Sequence, residues 1–336
     1  MHWKIIFIGS FLLLIFACKN ENKNDTDAAK PGTGLSAEIE EISNKISANP
    51  KDHSLFYQRG QMFLKAGNSK MAIQDLEHAI SIDSTKGEYY LPLADAYFFS
   101  KSVGKSRQTL ERALNNNPEN NTEAAMKLAE LHFYVKEYKK SIGYLDEVLM
   151  KDKHNPKAYF MKGMNFKEMG DTAKAISSFQ TTIEQNPEYY AAYMQLGIIF
   201  NIKNNPVAVQ YYNSALNLNP KSTEALYGRA MYYQENQEFN KAITDYTQIL
   251  RLEPDNANAH FNLGYIHQVY LKIYDQGIKH YTDAIAANPK YAEAYYNRGL
   301  TYETVGNISA AAADYKLAIQ FRGDYPAAEA GLKRVH

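Results

Sequence analysis

Residues 295–302 read Tyr295-Tyr296-Asn297-Arg298-Gly299-Leu300-Thr301-Tyr302, and a small residue followed three positions later by an aromatic decides the fold. The same two slots recur upstream. Gly60, Ala94, Ala129, Gly163, Gly197, Ala230 and Gly264 hold the small position, at steps of 33 to 35 residues. Phe63, Tyr97, His132, Phe166, Phe200, Tyr233 and His267 follow at plus three. Eight matches in two linked slots are an internal repeat, and a period near 34 residues accommodates two helices and their turns. A helix pair of that size cannot bury its own apolar face and must stack on copies of itself. The fold class predicted is all-α, in eight repeats that start near His53, Gly87, Thr122, Pro156, Tyr190, Thr223, Ala257 and Ala292.

A second pair of slots fixes the register. The second helix of each unit opens on a small residue: Ala72, Ser106, Ser141, Ala175, Ala208, Ala242, Gly277 and Ala311. Four residues on come Leu76, Leu110, Leu145, Phe179, Tyr212, Tyr246, Tyr281 and Tyr315. Pro118, Pro187, Pro220, Pro254 and Pro289 close five units, where proline stops one helix and sets the turn to the next. Gly67-Asn68, Gly170-Asp171 and Gly306-Asn307 read as inter-helix turns. Extra residues are expected near Asn121 and within 271–275, and one is missing near Asn204-Asn205.

These slots resemble the tetratricopeptide repeat family over residues 53–325. The resemblance implies an α–α superhelix, a right-handed solenoid with a concave face. Repeats two and three match least well, with His132 in the aromatic slot and Lys153 in the proline slot. A lead-in helix is expected over residues 35–52, with Ser36 as its N-cap, and a capping helix over 326–336. Tyr246 sits in a packing slot and Tyr90 outside one, so truncating Tyr90 is expected to cost much less.

At the start of the chain, Met1-His2-Trp3-Lys4 is a short basic stretch before 13 mainly apolar residues, Ile5 to Ala17. That run is too short to span a bilayer and has the length of a secretory signal core. It ends on Phe16-Ala17-Cys18, the chain's one cysteine. A small residue before a lone cysteine at this place resembles the lipobox of bacterial lipoproteins. The resemblance implies a signal peptide over 1–17, lipid on Cys18, membrane attachment through that lipid and a place in the bacterial cell envelope. Lys19 after the cysteine, rather than an aspartate, favours the outer membrane. Residues 19–34 carry three positive and three negative charges and no aliphatic residue larger than alanine, so they read as a tether.

Composition excludes some functions. Lys plus Arg and Asp plus Glu both number 37, which argues against a nucleic-acid partner held by bulk charge. One cysteine permits no internal disulfide. The sequence holds no HExxH, no phosphate loop and no flanked nucleophilic serine, so no enzyme activity, cofactor or metal is expected. His260 and His267 share a helix face but occupy packing slots, and they read as core or interface histidines. Arg59, Lys162, Arg229 and Arg298 precede the small slot and read as side chains lying over the helix pair.

In the resembled family the first helix of each unit lines the concave face, through positions three before and one after the small slot. In repeats four to eight these hold Phe160, Met164, Met194, Ile198, Tyr227, Met231, Phe261, Tyr265, Tyr296 and Leu300. Repeats one to three mix in Gln61, Asp95 and Glu130. Ten apolar residues on one face predict a strip that binds a segment of another protein. The expected function is a lipid-anchored envelope adaptor or scaffold. A second expectation, of another class, is an envelope glycan-binding protein or enzyme accessory using tyrosine stacking, since the chain has 27 tyrosines.

Overall fold

The structure, a computed structural model, describes residues 34–116 and 122–336. The predicted signal segment, Cys18, the tether to residue 33, Pro118 and Asn121 lie outside the described residues. Eighteen α-helices and no strand occur among those described. Helix α1 (Gly34–Ala48) leads. Ser36 lies within its first turn rather than capping it, because a helix end set by one polar residue moves easily by a residue or two.

Eight helix pairs follow. They are α2 (His53–Lys65) with α3 (Ser69–Ile82), α4 (Tyr90–Phe99) with α5 (Val103–Asn116), and α6 (Thr122–Tyr134) with α7 (Tyr138–Lys151). Next come α8 (Pro156–Glu168) with α9 (Thr172–Gln185), α10 (Tyr190–Ile202) with α11 (Val207–Leu218), and α12 (Thr223–Glu235) with α13 (Phe239–Leu252). The last are α14 (Ala257–Tyr265) with α15 (Tyr274–Ala287) and α16 (Ala292–Thr304) with α17 (Ile308–Arg322), closed by α18 (Pro326–Arg334). The eight predicted starts coincide with the observed ones, repeat two opening as one 3-10 turn at Gly87–Tyr89 before α4. Asp52, Asn155, Ser222 and Asn256 cap four of the first helices by accepting a backbone N–H.

Two compact units divide between Ala175 and Ile176, inside α9. Within each, a second helix packs on the first helix of its own repeat and on that of the next: α3 lies against α2 and α4, α13 against α12 and α14. First helices of successive repeats also adjoin, as α2 with α4 and α10 with α12.

Close approach of these helices depends on the small slots. All eight small residues of the first helices are buried. The large residues of the second helices, Leu76 through Tyr315, are at most 2% exposed. The two sets are complementary. A Cβ on Gly197 would stand 2.7 Å from Tyr212 Cε1, and one on Gly228, in the following repeat, 2.6 Å from the same atom. Tyr212 is thus clasped between backbones on both sides. Tyr315 is held in the same way by Gly299 and by Gly331 of α18, so the capping helix takes the place of a ninth first helix. Burying each such ring contributes about 1.5–3 kcal/mol.

The turn between the two helices of each repeat carries one left-handed residue: Gly67, Lys101, Lys136, Gly170, Asn204, Gln237, Lys272 and Gly306. Seven of them fall seven places after the small slot, and Lys272 falls eight after Gly264. The extra residue of repeat seven therefore lies before the turn, not within 271–275 as expected. A π-helical stretch at Ile266–Leu271 absorbs it, widening the hydrogen-bond ring by one residue without losing the packing phase.

Tyr90 departs from expectation. It is 5% exposed, packs on Ala113 and Ala124, and donates its hydroxyl to Ser84 O at 2.9 Å. Tyr90 stands four before the small slot, a recurrent position that the slot pattern left out: Tyr159 and Tyr295 there likewise donate their hydroxyls to the carbonyl six residues back, on Lys153 and Pro289.

Candidate functional site

The predicted strip does not emerge as ten equivalent side chains. Phe160 and Met164 of α8, in the first unit, are 8% and 5% exposed. Met194 of α10 is 3% exposed, packed among Ala208, Tyr212, Ala215, Ala225 and Tyr232. These three are core, because neighbouring helices close over the slot that the sequence places on the inner face. Seven remain half-buried, all in the second unit: Ile198, Tyr227, Met231, Phe261, Tyr265, Tyr296 and Leu300.

The seven divide by slot. Those three before the small residue lean on the large tyrosine of their own second helix. Ring centroids lie 5.8 Å apart for Tyr227 and Tyr246, 5.7 Å for Phe261 and Tyr281, and 6.0 Å for Tyr296 and Tyr315. Phe261 also stacks on Tyr291 at 5.1 Å, and Tyr296 meets Tyr325 at 5.1 Å. Asn262 Nδ2 donates to the Tyr227 hydroxyl at 3.0 Å. This column is a wall of packed rings. The other slot, Ile198, Met231, Tyr265 and Leu300, offers side chains of mixed aliphatic and aromatic shape along α10, α12, α14 and α16.

In repeats one to three the acids of that slot are engaged. Lys127 Nζ donates to Asp95 at 2.8 and 2.9 Å, and Lys157 Nζ stands 2.6 Å from Glu130. Each lysine comes from the first helix of the following repeat, so the acids tie neighbouring units. Gln61 donates to the Tyr57 hydroxyl at 2.8 Å.

The arginines before the small slot do more than lie over the helix pair. Arg59 grips Asp75 with two bonds of 2.6 and 2.7 Å, Arg229 grips Asp245 at 2.8 and 2.7 Å, and Arg298 grips Asp314 at 2.7 and 2.8 Å. The third nitrogen of each reaches Ser43, Asn213 or Thr282 on the helix before. Hydrogen bonding to Asp75 and to Asp245 holds the pKa of Arg59 and Arg229 above the ordinary value. Sequence reasoning missed the aspartates, although an acid 16 places after the arginine recurs in all three repeats. Repeat four has Ser178 there, and Lys162 turns instead to Asp146 at 2.6 Å.

Apolar exposure lies elsewhere too. Phe99, Tyr134, Ile202, Tyr270 and Val305 are 43% to 64% exposed, each five or six places after a small slot, where the first helix ends. In the first unit a cleft of about 420 Å³ is lined by residues including Glu77, Tyr90, Tyr97, Lys105 and Arg112. Tyr97 donates its hydroxyl to Glu77, and burial together with that carboxylate pushes its pKa up to about 12. No described helix is long and apolar enough to cross a membrane.

Family models described as tetratricopeptide repeats match residues 53–86, 160–223 and 280–329, and one described as a TPR repeat matches 230–268. The chain belongs to the tetratricopeptide repeat family. Such an array presents surface to other proteins, and this tetratricopeptide protein is an interaction scaffold of that kind. Its sequence is similar to the BBSome complex member BBS4 homolog of Drosophila melanogaster, 25% identical over 243 residues, covering 69% of this chain and 49% of that protein. It is also similar to a TPR repeat-containing protein of Methanocaldococcus jannaschii, 22% identical over 64% of this chain and 33% of that one. The chain thus spans about half the length of the first and a third of the second.

Two solved structures share the fold. The C-terminal part of a TPR repeat-containing protein from Cytophaga hutchinsonii superposes with a TM-score of 0.57 at 18% identity, over 67% of this chain and 93% of that one. A tetratricopeptide repeat protein from Parabacteroides merdae gives 0.52 at 17% identity, over 74% and 98%.

Proposed function

We propose that this chain is an adaptor held at a membrane of the bacterial cell envelope by lipid on Cys18. It grips an extended or helical segment of another protein along the first helices of repeats five to eight. The observation that carries the reading is the run Ile198, Met231, Tyr265 and Leu300. Four consecutive repeats place a large apolar residue in one slot, and none of the four is sealed by packing. Ringed by the fixed wall of Tyr227, Phe261 and Tyr296, such positions suit apolar anchors of a bound segment. A relative named as a member of a multiprotein complex is in keeping with this role. The lipobox-like Phe16-Ala17-Cys18 and the polar tether support the anchoring. A single lipid chain binds membranes only weakly, and the several chains of a bacterial lipoprotein make attachment stable.

The reading is tested with a photo-crosslinking residue placed at Met231 or Leu300 in cells. Both positions are expected to capture the same discrete protein, while Lys316, exposed on α17, captures none of it. Capture from Lys316 with none from either groove position would move the contact surface to the second helices and overturn the reading.

A further inference from the structure

We propose that His260, His280 and Asp283 form a binding site for a divalent transition-metal ion of the zinc type. His260 stands on α14, and His280 and Asp283 stand one turn apart on α15. One ligand atom from each lies within 4.8 Å of the other two, and His260 Nδ1 is 3.9 Å from Asp283 Oδ2. Tetrahedral zinc with bonds of about 2.0–2.2 Å spaces its ligand atoms roughly 3.4 Å apart. Small side-chain rotations close that difference.

Hydrogen bonding fixes the protonation of the His260 ring. His260 Nε2 is 3.0 Å from Pro254 O, which can only accept, so Nε2 carries the proton and Nδ1 presents a lone pair. A ligating histidine typically fixes its other nitrogen on a carbonyl in this way. His260 Nδ1 and His280 Nδ1 are both shielded from water and hydrogen-bonded to nothing. At 3.9 Å the carboxylate is too far from His260 to serve as a hydrogen-bond partner. Two buried nitrogens without partners, facing one carboxylate, are the arrangement a cation resolves.

Ligand chemistry selects the ion. Two imidazoles and a carboxylate without thiolate suit zinc, nickel, copper or ferrous iron rather than calcium or magnesium. The Asp283 side chain is 41% exposed, which gives the ion an entry path and leaves a fourth position for water or a partner's side chain. His267 stacks on the His280 ring with centroids 5.3 Å apart and donates Nδ1–H to Leu263 O at 2.7 Å, so it orients that ring. His267 belongs to the π-helical stretch, and such stretches gather at functional sites. A metal here would tie α14 to α15 in the repeat whose first helix is interrupted. The sequence showed only His260 and His267, because the carboxylate and third histidine arrive from the other helix.

The full-length chain, stripped with a chelator, is titrated with Zn²⁺ by calorimetry and melted with and without the ion. One high-affinity zinc per chain and a raised melting temperature are expected. His260→Ala with His280→Ala should weaken that event by about a hundredfold or more, since loss of an outer-shell partner already costs 10–100-fold. Helical circular dichroism reports whether the double variant folds. Where it does not, Asp283→Asn, at an exposed position, carries the test and should weaken zinc by about tenfold or more. Zinc bound equally by the wild type and by a folded variant, or no zinc-dependent rise in melting temperature, overturns the proposal.

Discussion

Gly264 lies directly against the ring of Tyr281: a Cβ there would meet Cδ1 and Cε1 at 2.8 Å. The ring is fully buried, and its hydroxyl donates to Gln268 Oε1 at 2.7 Å, so it has nowhere to retreat. Gly264→Ala should therefore destabilise the protein by about 1–3 kcal/mol, the usual cost of overpacking. Gly143 is helical, exposed and has nothing within 4 Å of its would-be Cβ. Gly143→Ala should instead stabilise by about 0.5–1 kcal/mol through helix propensity. Denaturant titrations of both variants check the pair. Two changes of the same sign would mean that the glycine–tyrosine contact does not set helix spacing.

The arginine clamps make a second prediction. The Asp245 side chain is 6% exposed and that of Arg229 is 21%. Arg229→Met alone leaves a buried carboxylate unpaired and should cost about 3 kcal/mol. Arg229→Met together with Asp245→Leu should recover most of that loss, since an apolar pair of similar volume replaces a buried ion pair at little cost. A double-mutant cycle on melting temperature reads the coupling. Additive single losses would show that the two residues do not act as a unit.

Much of this organisation was legible in the sequence, for a physical reason. Eight copies of one helix pair repeat their packing constraints, so Gly60 through Gly299 and Leu76 through Tyr315 announce themselves by period. What period cannot report is how far a neighbour closes over a slot. Met164 and Met231 occupy the same slot, one after the small residue, yet Met164 is core and Met231 half-buried. Nor does period reveal pairs across helices. Asp245 and Asp283 became meaningful only when the fold set them beside Arg229 and His260. A feature of a single repeat, such as the π turn after Tyr265, leaves no periodic trace.

Buried tyrosines predict behaviour at high pH. Burial, the leading cause, pushes the phenols of Tyr246 and Tyr281 well above their ordinary value. In the unfolded chain a phenol releases its proton near pH 10. Above that pH the unfolded state binds fewer protons than the folded one, so stability is lost as pH rises. Unfolding is expected soon above pH 10, and Tyr281→Phe should shift the midpoint upward by removing one ionisable ring. Tyrosinate absorbance and circular dichroism should change together. Phenols ionising while the helices persist would contradict the burial of these rings.

Anchoring is checked at Cys18, the chain's one cysteine. Cys18→Ser should abolish lipid attachment and leave uncleaved precursor, seen by labelled fatty-acid incorporation and by a slower-migrating band. A chain starting near Lys30 should leave the membrane fraction without detergent. Full membrane partition of that shorter chain, in cells lacking the crosslinked partner, would refute the lipid anchor.

Met231 decides whether the half-buried slot is a contact surface or only packing. Its side chain rests on the cluster around Ala230, Ala242 and Tyr246, so Met231→Glu has a stability cost, about 1 kcal/mol for a position that still reaches water. Loss of binding alone would therefore be ambiguous. Ile249 provides the comparison. It is fully buried on α13 in the same cluster, and Ile249→Val should cost a similar 0.5–1.5 kcal/mol. Partner capture should fall at least tenfold in Met231→Glu, as expected for a charge placed at a central apolar anchor, and stay near wild type in Ile249→Val. Asp95→Asn should change capture little at low salt, because Asp95 is already engaged by Lys127. Equal loss in the Met231 and Ile249 variants would make stability the cause and remove the slot as a site. Undiminished capture by a folded Met231→Glu chain would place binding elsewhere, first among the exposed helix ends at Ile202, Tyr270 and Val305.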